Sequence, residues 1–214
     1  MADETTPEVY QIHAWIGQIS PMIWRRLLVR TDSTLADLHD VLQSAFGWSD
    51  FHLHRFRIHG RDYGVNRVGG LWFSHDARSV RLADFQFRSN ERFLYEYDFG
   101  DGWQHVVRVE RRLTVEPRRT YPACVGGQRT APPEDCGGPR AFQERRDAVP
   151  GQVREHLERI LEGIEAADLE AIGDELEAVE PLRAWLTLDR FDRREVNRRL
   201  RLYAAGDERW REER

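Results

Sequence analysis

Apolar and polar positions alternate through YQIHAWI at residues 10–16, which places Tyr10, Ile12, Ala14 and Ile16 on one side. A second run, IWRRLLV at residues 23–29, follows the Ser20-Pro21 turn. Two such runs with a short connection predict an antiparallel strand pair. The period then changes: in LADLHDVLQSAFGW the residues Leu35, Leu38, Val41, Leu42, Ala45 and Phe46 recur three and four apart. This spacing predicts an amphipathic helix, begun by a Thr34 cap with Asp37 in its first turn and ended at Gly47. His39 lies beside its apolar stripe. Residues 52–58 return to alternation, with His52, His54 and Phe56 on one face and Leu53, Arg55 and Arg57 on the other.

An irregular, glycine-containing segment is expected from Gly60 to about Phe73, and LADF at residues 82–85 reads as a short helical turn. FLYEY (93–97) and HVVRVERRL (105–113) are predicted strands flanking a tight DFGDGW connection. There Gly100 and Gly102 are expected to take backbone angles closed to other residues, and Trp103 to pack back on the sheet. Beyond Gly138, Val153, Leu157, Ile160, Leu161 and Ile164 follow a helical period, Pro181 interrupts it, and a last helix from Asp192 to about Ala205 carries Val196, Leu200 and Tyr203. The fold expected is α+β: a mostly antiparallel sheet of at least five strands with an N-terminal amphipathic helix and a helical C-terminal region. The core domain should span 8–140, and the helical region, 141–214, should pack on it because its apolar stripe needs a partner.

A length of 214 residues with 40% hydrophobic and 32% charged positions suits one sizeable core. No apolar run approaches the roughly 18 residues of a membrane span, and MADETTPEVY has neither the basic flank nor the apolar centre of a secretory signal. A cytoplasmic protein without a membrane partner is therefore expected. All 32 basic residues are arginine. Guanidinium groups suit phosphates, yet a nucleotide-composition bias explains the missing lysine more simply, and a net charge of −5 excludes a strongly basic protein. Charge is unevenly spread: residues 144–180 hold twelve acidic side chains against four arginines. On the last helix, Arg194 and Arg198 are the best candidates for a surface facing a protein or nucleic-acid partner, against the simpler reading of a solvated face.

Potential ligands concentrate in two stretches, FLYEYDFGDGWQH and CVGGQRTAPPEDCGG. His52 and His54 are expected about 6.5–7 Å apart at their Cα atoms on one strand face. If His105 lies on a neighbouring strand, the three imidazoles and Cys124 could hold zinc or another divalent transition metal. Hydrogen bonding within a half-buried sheet face is the competing fate of these histidines. Asp98, Asp101, Glu134 and Asp135 line the expected binding groove. The CVGGQRTAPPEDCGG stretch reads as a rigid loop, in which Glu134 could also serve as a general base. Two cysteines are too few for a disulfide framework, and a reducing compartment argues against a Cys124–Cys136 bond. A nucleophilic cysteine with His105 as its base is a further alternative. DFGDGW matches a kinase word only in letters, since a chain without lysine lacks the phosphate-pairing residue. Dinucleotide and phosphate loops, a nucleophile elbow and HExxH are absent.

PMIWRRLLV, LADLHDVLQSAFGWSDFHLHRFRIHGRDYG, FLYEYDFGDGWQHVVRVE and YPACVGGQRTAPPEDCGG, in that order, resemble the successive blocks of the plasmid pRi ORF-three family. Some members of that family are labelled passenger TnpR proteins of insertion elements. The resemblance covers about Tyr10 to Gly138 and, more loosely, WLTLDRFDRREVNRRL. It implies an α+β domain and a bacterial or plasmid context, with no established activity. Many members have cysteine where this chain has Ala131, so a metal site using that position would need Cys136 instead. The TnpR label implies a resolvase, but a serine recombinase needs a nucleophilic serine with supporting arginines and a basic helix-turn-helix. This acidic chain shows neither. The function expected is a non-enzymatic binding or accessory protein linked to mobile genetic elements; the alternative is a metal-dependent hydrolase, one acting on nucleic acid included.

Overall fold

The computed structural model describes residues 8–66 and 72–212. Part of the expected irregular segment, residues 67–71, lies outside the described residues. Strands β1 (Glu8–Ile16) and β2 (Trp24–Arg30) pair antiparallel, with Ile12 opposite Leu27. Helix α1 (Leu35–Phe46) follows, then β3 (His54–Ile58), β4 (Arg61–Gly64), β5 (His75–Asp76), β6 (Arg92–Tyr97), β7 (Trp103–Thr114) and β8 (Ala123–Gln128). The eight strands form one sheet in the order β5-β4-β3-β6-β7-β1-β2-β8. Every pairing is antiparallel except β4 with β5, so the sheet is mixed but mostly antiparallel. Helices α2 (Gly138–Glu165), α3 (Leu169–Val179), α4 (Arg183–Leu186) and α5 (Arg193–Ala204) complete the chain. This is an α+β fold.

Three expectations need correction, the first being the irregular segment expected from Gly60, which opens with strand β4 paired to β3. The helix expected at the N-terminus is the third element, because two strands precede it. The CVGGQ segment is an edge strand, with Cys124 opposite Leu27 of β2, rather than part of a loop. Its glycines hid it, because glycine weakens strand propensity. Here glycine has a packing reason: a Cβ on Gly127 would come within 2.4 Å of the Phe191 ring.

Helix α1 forms as its sequence predicts. The Thr34 hydroxyl accepts from the Asp37 amide (3.0 Å), and Asp37 Oδ2 accepts from the Thr34 amide (2.7 Å), a reciprocal capping box. Gly47, at φ 84°, closes the other end. Its buried stripe covers Tyr95 and Tyr97 of β6 and Phe56 of β3, and α5 adds Val196 and Leu200 to the same core.

The carboxyl end of a helix carries a partial negative charge and orphan carbonyls, and α1 has no basic residue in its last turn. Two buried arginines from elsewhere meet it. Arg25 of β2 donates from Nε to the Ala45 carbonyl (2.9 Å) and lies over the Phe46 and Phe191 rings. Arg199 of α5 donates to the Trp48 carbonyl (2.8 Å). Arg199, on the helix expected to face a partner, is thus turned inward, and Arg198 is paired with Glu195 at 2.8 Å.

Thr34→Ala removes one half of the capping box while leaving the α1 stripe intact. It should destabilise the protein by about 1 kcal/mol, read as a lower urea midpoint at an unchanged m-value.

Candidate functional site

Asp98 adopts a left-handed conformation at φ 52°, as does Gly102 at 69°. Gly100, expected to share that geometry, does not. An aspartate tolerates this region because its short carboxylate can bond its own turn. Asp98 Oδ1 accepts from the Gly100 amide (3.0 Å) and the Asp101 amide (3.3 Å), while the Asp98 amide donates to the Leu53 carbonyl (2.9 Å). The turn therefore grips the chain just ahead of β3. Trp103, as expected, is buried.

The two glycine-punctuated stretches touch. Asp101 Oδ2 accepts from the Gly137 amide (3.1 Å), and a Cβ on Gly138 would lie 2.3 Å from the Asp101 carbonyl oxygen. Glu134 fixes the segment before them: Oε1 accepts from the Tyr97 hydroxyl (2.5 Å) and Oε2 from the Ser49 amide (2.9 Å). Burial, and then the carboxylate beside it, raise the Tyr97 pKa, so this phenol stays a donor. The Trp48 indole N–H donates to the Pro132 carbonyl (2.9 Å). Residues 130–135 are thereby pinned across the end of α1.

His52 and His54 part company. His52 lies ahead of β3, whose first residue is His54, and is partly exposed. Its Nε2 is 3.0 Å from Asp135 Oδ1 and its Nδ1 3.8 Å from Asp98 Oδ1. His54 is buried under α1, where its ring stacks on His39 at 3.5 Å and 11°. His39 Nδ1 meets the Tyr95 hydroxyl (2.8 Å) and Nε2 meets Asp50 Oδ1 (2.7 Å). Gln43 donates to the same Tyr95 oxygen (2.9 Å) and accepts from the Asp50 amide (3.1 Å). One donor assignment satisfies every member: Gln43 donates to Tyr95, Tyr95 to His39 Nδ1, and His39 Nε2–H to Asp50. Sequence reasoning missed this network. Its trace was the pair His39 and Gln43, four apart on one helix face.

The expected four-residue metal set is not assembled. His105, opposite Tyr95 on β7, is fully buried among Phe46, Trp48 and Tyr95 rings. It joins neither of the two groups of close donors among the described residues, His39–Asp50–His54 and His52–Asp98–Asp135. Cys124 lies on β8, five strand places from β3, which is ~24 Å along a flat sheet. Its Sγ bonds the Gly126 carbonyl (3.2 Å), and burial raises its pKa. Cys136 is pushed up to about 11, by burial first and then by Asp101, and both thiols are free. Neither has the lowered pKa of a reactive thiolate.

The two donor groups differ in what they could hold. In the His39–His54 stack the rings lie nearly parallel, so their lone pairs do not converge, and both His39 nitrogens already have partners. His52, Asp98 and Asp135 come from three loops, with Asp98 buried and Asp135 exposed at the surface. Beside them is a cleft of about 510 Å³ lined by Phe46, Trp48, Pro132, Pro133, Trp185 and Leu188, with Glu134 and Asp135 also in its wall. Ala131 lines the same cleft, and Cys136 belongs to neither donor group.

These features define an α+β protein in which one eight-stranded sheet, one central helix and two interlocked loops enclose a mainly apolar cleft with carboxylates beside it. The sequence profile of the plasmid pRiA4b ORF-3-like proteins matches residues 8–199, and the chain belongs to that family. It is 33% identical over 166 residues to the uncharacterised protein y4hQ of Sinorhizobium fredii, covering 76% of this chain and 84% of that one. A crystal structure of a protein of unknown function from Methanosarcina mazei Go1 superposes with a TM-score of 0.67 at 29% identity, covering 90% of this chain and 98% of that one. Among the described residues no helix is long and apolar enough to cross a membrane.

Burial lowers the His105 pKa to about 3 from an ordinary 6.5. The folded state therefore holds the neutral ring where the unfolded chain would take up a proton. This contribution to stability is fully present above pH 6.5 and is lost as pH falls towards 3, at about 1.4 kcal/mol per pH unit. His105→Phe should remove one proton's worth of that slope in denaturant titrations between pH 6.5 and 4; an unchanged slope would contradict the neutral, buried assignment.

Proposed function

We propose that this protein is a non-enzymatic binding or accessory module that accepts an apolar side chain of a partner protein in the cleft between residues 130–135 and α4. The observation that carries this reading is the construction of the cleft. Its walls are aromatic, proline and leucine side chains, and its floor is braced by the Trp48–Pro132 and Glu134–Tyr97 hydrogen bonds. A preformed, mostly apolar concavity of this size suits an anchor residue, and rigid walls lower the ordering cost of binding. A role alongside mobile elements, in the cytoplasm, fits the plasmid origin in the family's name and is part of the same proposal.

A second reading, a metal-dependent hydrolase, one acting on nucleic acid included, is favoured by one observation: a histidine and two aspartates converge beside the cleft. Glu134, the expected general base, argues the other way, because both its oxygens are engaged by Tyr97 and Ser49. A nucleic-acid surface on α5 would rest on Arg194 with the exposed Arg193 and Arg201, since Arg198 is held by Glu195 and Arg199 is buried.

N-acetylphenylalaninamide serves as the probe. Titrated into isotopically labelled protein, it should shift amide resonances of residues 130–135 and 184–188, and Thr187→Trp, which fills the cleft, should suppress those shifts. Shifts scattered over the sheet, or none at millimolar probe, would remove the cleft as a binding site.

A further inference from the structure

We propose that His52, Asp98 and Asp135 form a binding site for one divalent transition-metal ion. The site goes beyond the cleft reading and does not depend on it. One donor atom from each residue lies within 4.8 Å of the other two. Tetrahedral ligands ~2.1 Å from one cation lie ~3.4 Å from one another, so the three donor atoms need draw together by at most ~1.4 Å. Asp135 can supply that movement, because its side chain is 76% exposed.

The donors are presented rather than merely adjacent. Asp98 is aimed by its own turn, which engages Oδ1 with two amides and leaves Oδ2 without a protein partner among the described residues. Asp135 is held at φ 56° beyond the pinned Glu134. The His52 ring stands edge-on to Tyr97 at 5.7 Å, which restricts its rotation. Its Nε2 is shielded from solvent and only 3.0 Å from Asp135 Oδ1, yet off the line that a hydrogen bond requires. A buried nitrogen left in that state is costly, and a cation between the two groups would satisfy both.

Charge gives an independent argument. Arginine compensates many carboxylates on or beside the sheet: Asp62, Asp76, Glu96 and Glu110 in strands, and Asp32 and Glu116 just past strand ends, each have one at 2.9 Å or closer. Where the two glycine-punctuated stretches meet, the pattern stops. Asp98 and Asp135 pair only with His52, Glu134 with Tyr97 and Ser49, and Asp101 with Gly137, with no arginine paired to any of the four among the described residues. Two carboxylates thus meet one imidazole, and two more lie on the same interlocked stretches, in a protein rich in guanidinium groups. A bound cation supplies the missing positive charge.

One imidazole and two carboxylates favour manganese, iron, cobalt or zinc over calcium, which takes oxygen ligands alone. Three protein ligands leave coordination positions for water or a ligand group. The exposure of Asp135 puts those positions in reach of solvent.

The test is calorimetric titration of chelator-treated, untagged protein with MnCl2 and with ZnCl2 at neutral pH, with no other ligand present. The expected result is one equivalent bound. Affinity should fall by roughly tenfold or more in Asp98→Asn and in Asp135→Asn, at least the loss that outer-shell changes produce, and stay unchanged in His59→Gln. Asparagine preserves the Asp98 turn bonds, and matched thermal midpoints without metal will show that the variants fold. Absence of stoichiometric binding overturns the proposal, as does an affinity unchanged from that of the original protein in both asparagine variants. So does binding abolished only by His54→Ala, which would move the ion to the buried cluster. A negative result here leaves the response to N-acetylphenylalaninamide untouched, so the two readings fail separately.

Discussion

The carboxyl end of α1 is the point on which the packing converges. Its last turn has no basic residue of its own, and two arginines some 170 residues apart in the chain meet this end: Arg25 of β2 at the Ala45 carbonyl, and Arg199 of α5 at the Trp48 carbonyl just past the Gly47 cap. A buried guanidinium is tolerated only when its donors are met and its faces covered. Carbonyls and the rings of Phe46 and Phe191 do that for Arg25. The same stretch carries Trp48, whose indole touches Phe46, Tyr97, Trp103 and His105 and whose N–H holds Pro132. The helix end thus ties the sheet, the last helix and the loop over the cleft into one unit.

The loops at the cleft depend on that anchorage. Ser49 and Tyr97 clamp Glu134 only because Trp48 and β6 are already placed, and Glu134 in turn delivers Asp135 to His52. Asp98 is set independently, by the left-handed turn at the start of DFGDGW. Rigid supports aiming a few polar side chains outward are what a recognition site requires, since the cost of ordering is met during folding rather than on binding. The His39–Asp50–Tyr95–Gln43 network, a few residues away, uses the same residue types to the opposite end. Each of its polar groups is satisfied internally, which specifies how α1 sits on the sheet.

Much of this was legible in the chain because the signals are local. Thr34, Asp37 and Gly47 bounded α1, alternation marked β1, apolar runs beside turns marked β2, β6 and β7, and Asp192 marked the start of α5. What failed was adjacency. His52 and His54 were expected on one strand face, but the strand begins at His54, and the Asp98 turn that holds Leu53 leaves His52 outside it. Cys124 looked near the histidines in the sequence and lies across the sheet from them, because β8 adds to β2 at the far edge.

The sequence by itself determined β1, β2, α1, β6, β7 and α5, the caps of α1, the family and the two stretches in which the chemistry gathers, since helix and strand periods, capping and turn residues act over a few positions. Only the tertiary structure decided which carboxylates meet which imidazole. Strand order and loop docking bring together residues as far apart as His52, Asp98 and Asp135, and they seal His105, His54 and Cys124 into the interior. That selection is made by long-range pairing and by the exclusion of water, neither of which leaves a periodic trace in the chain.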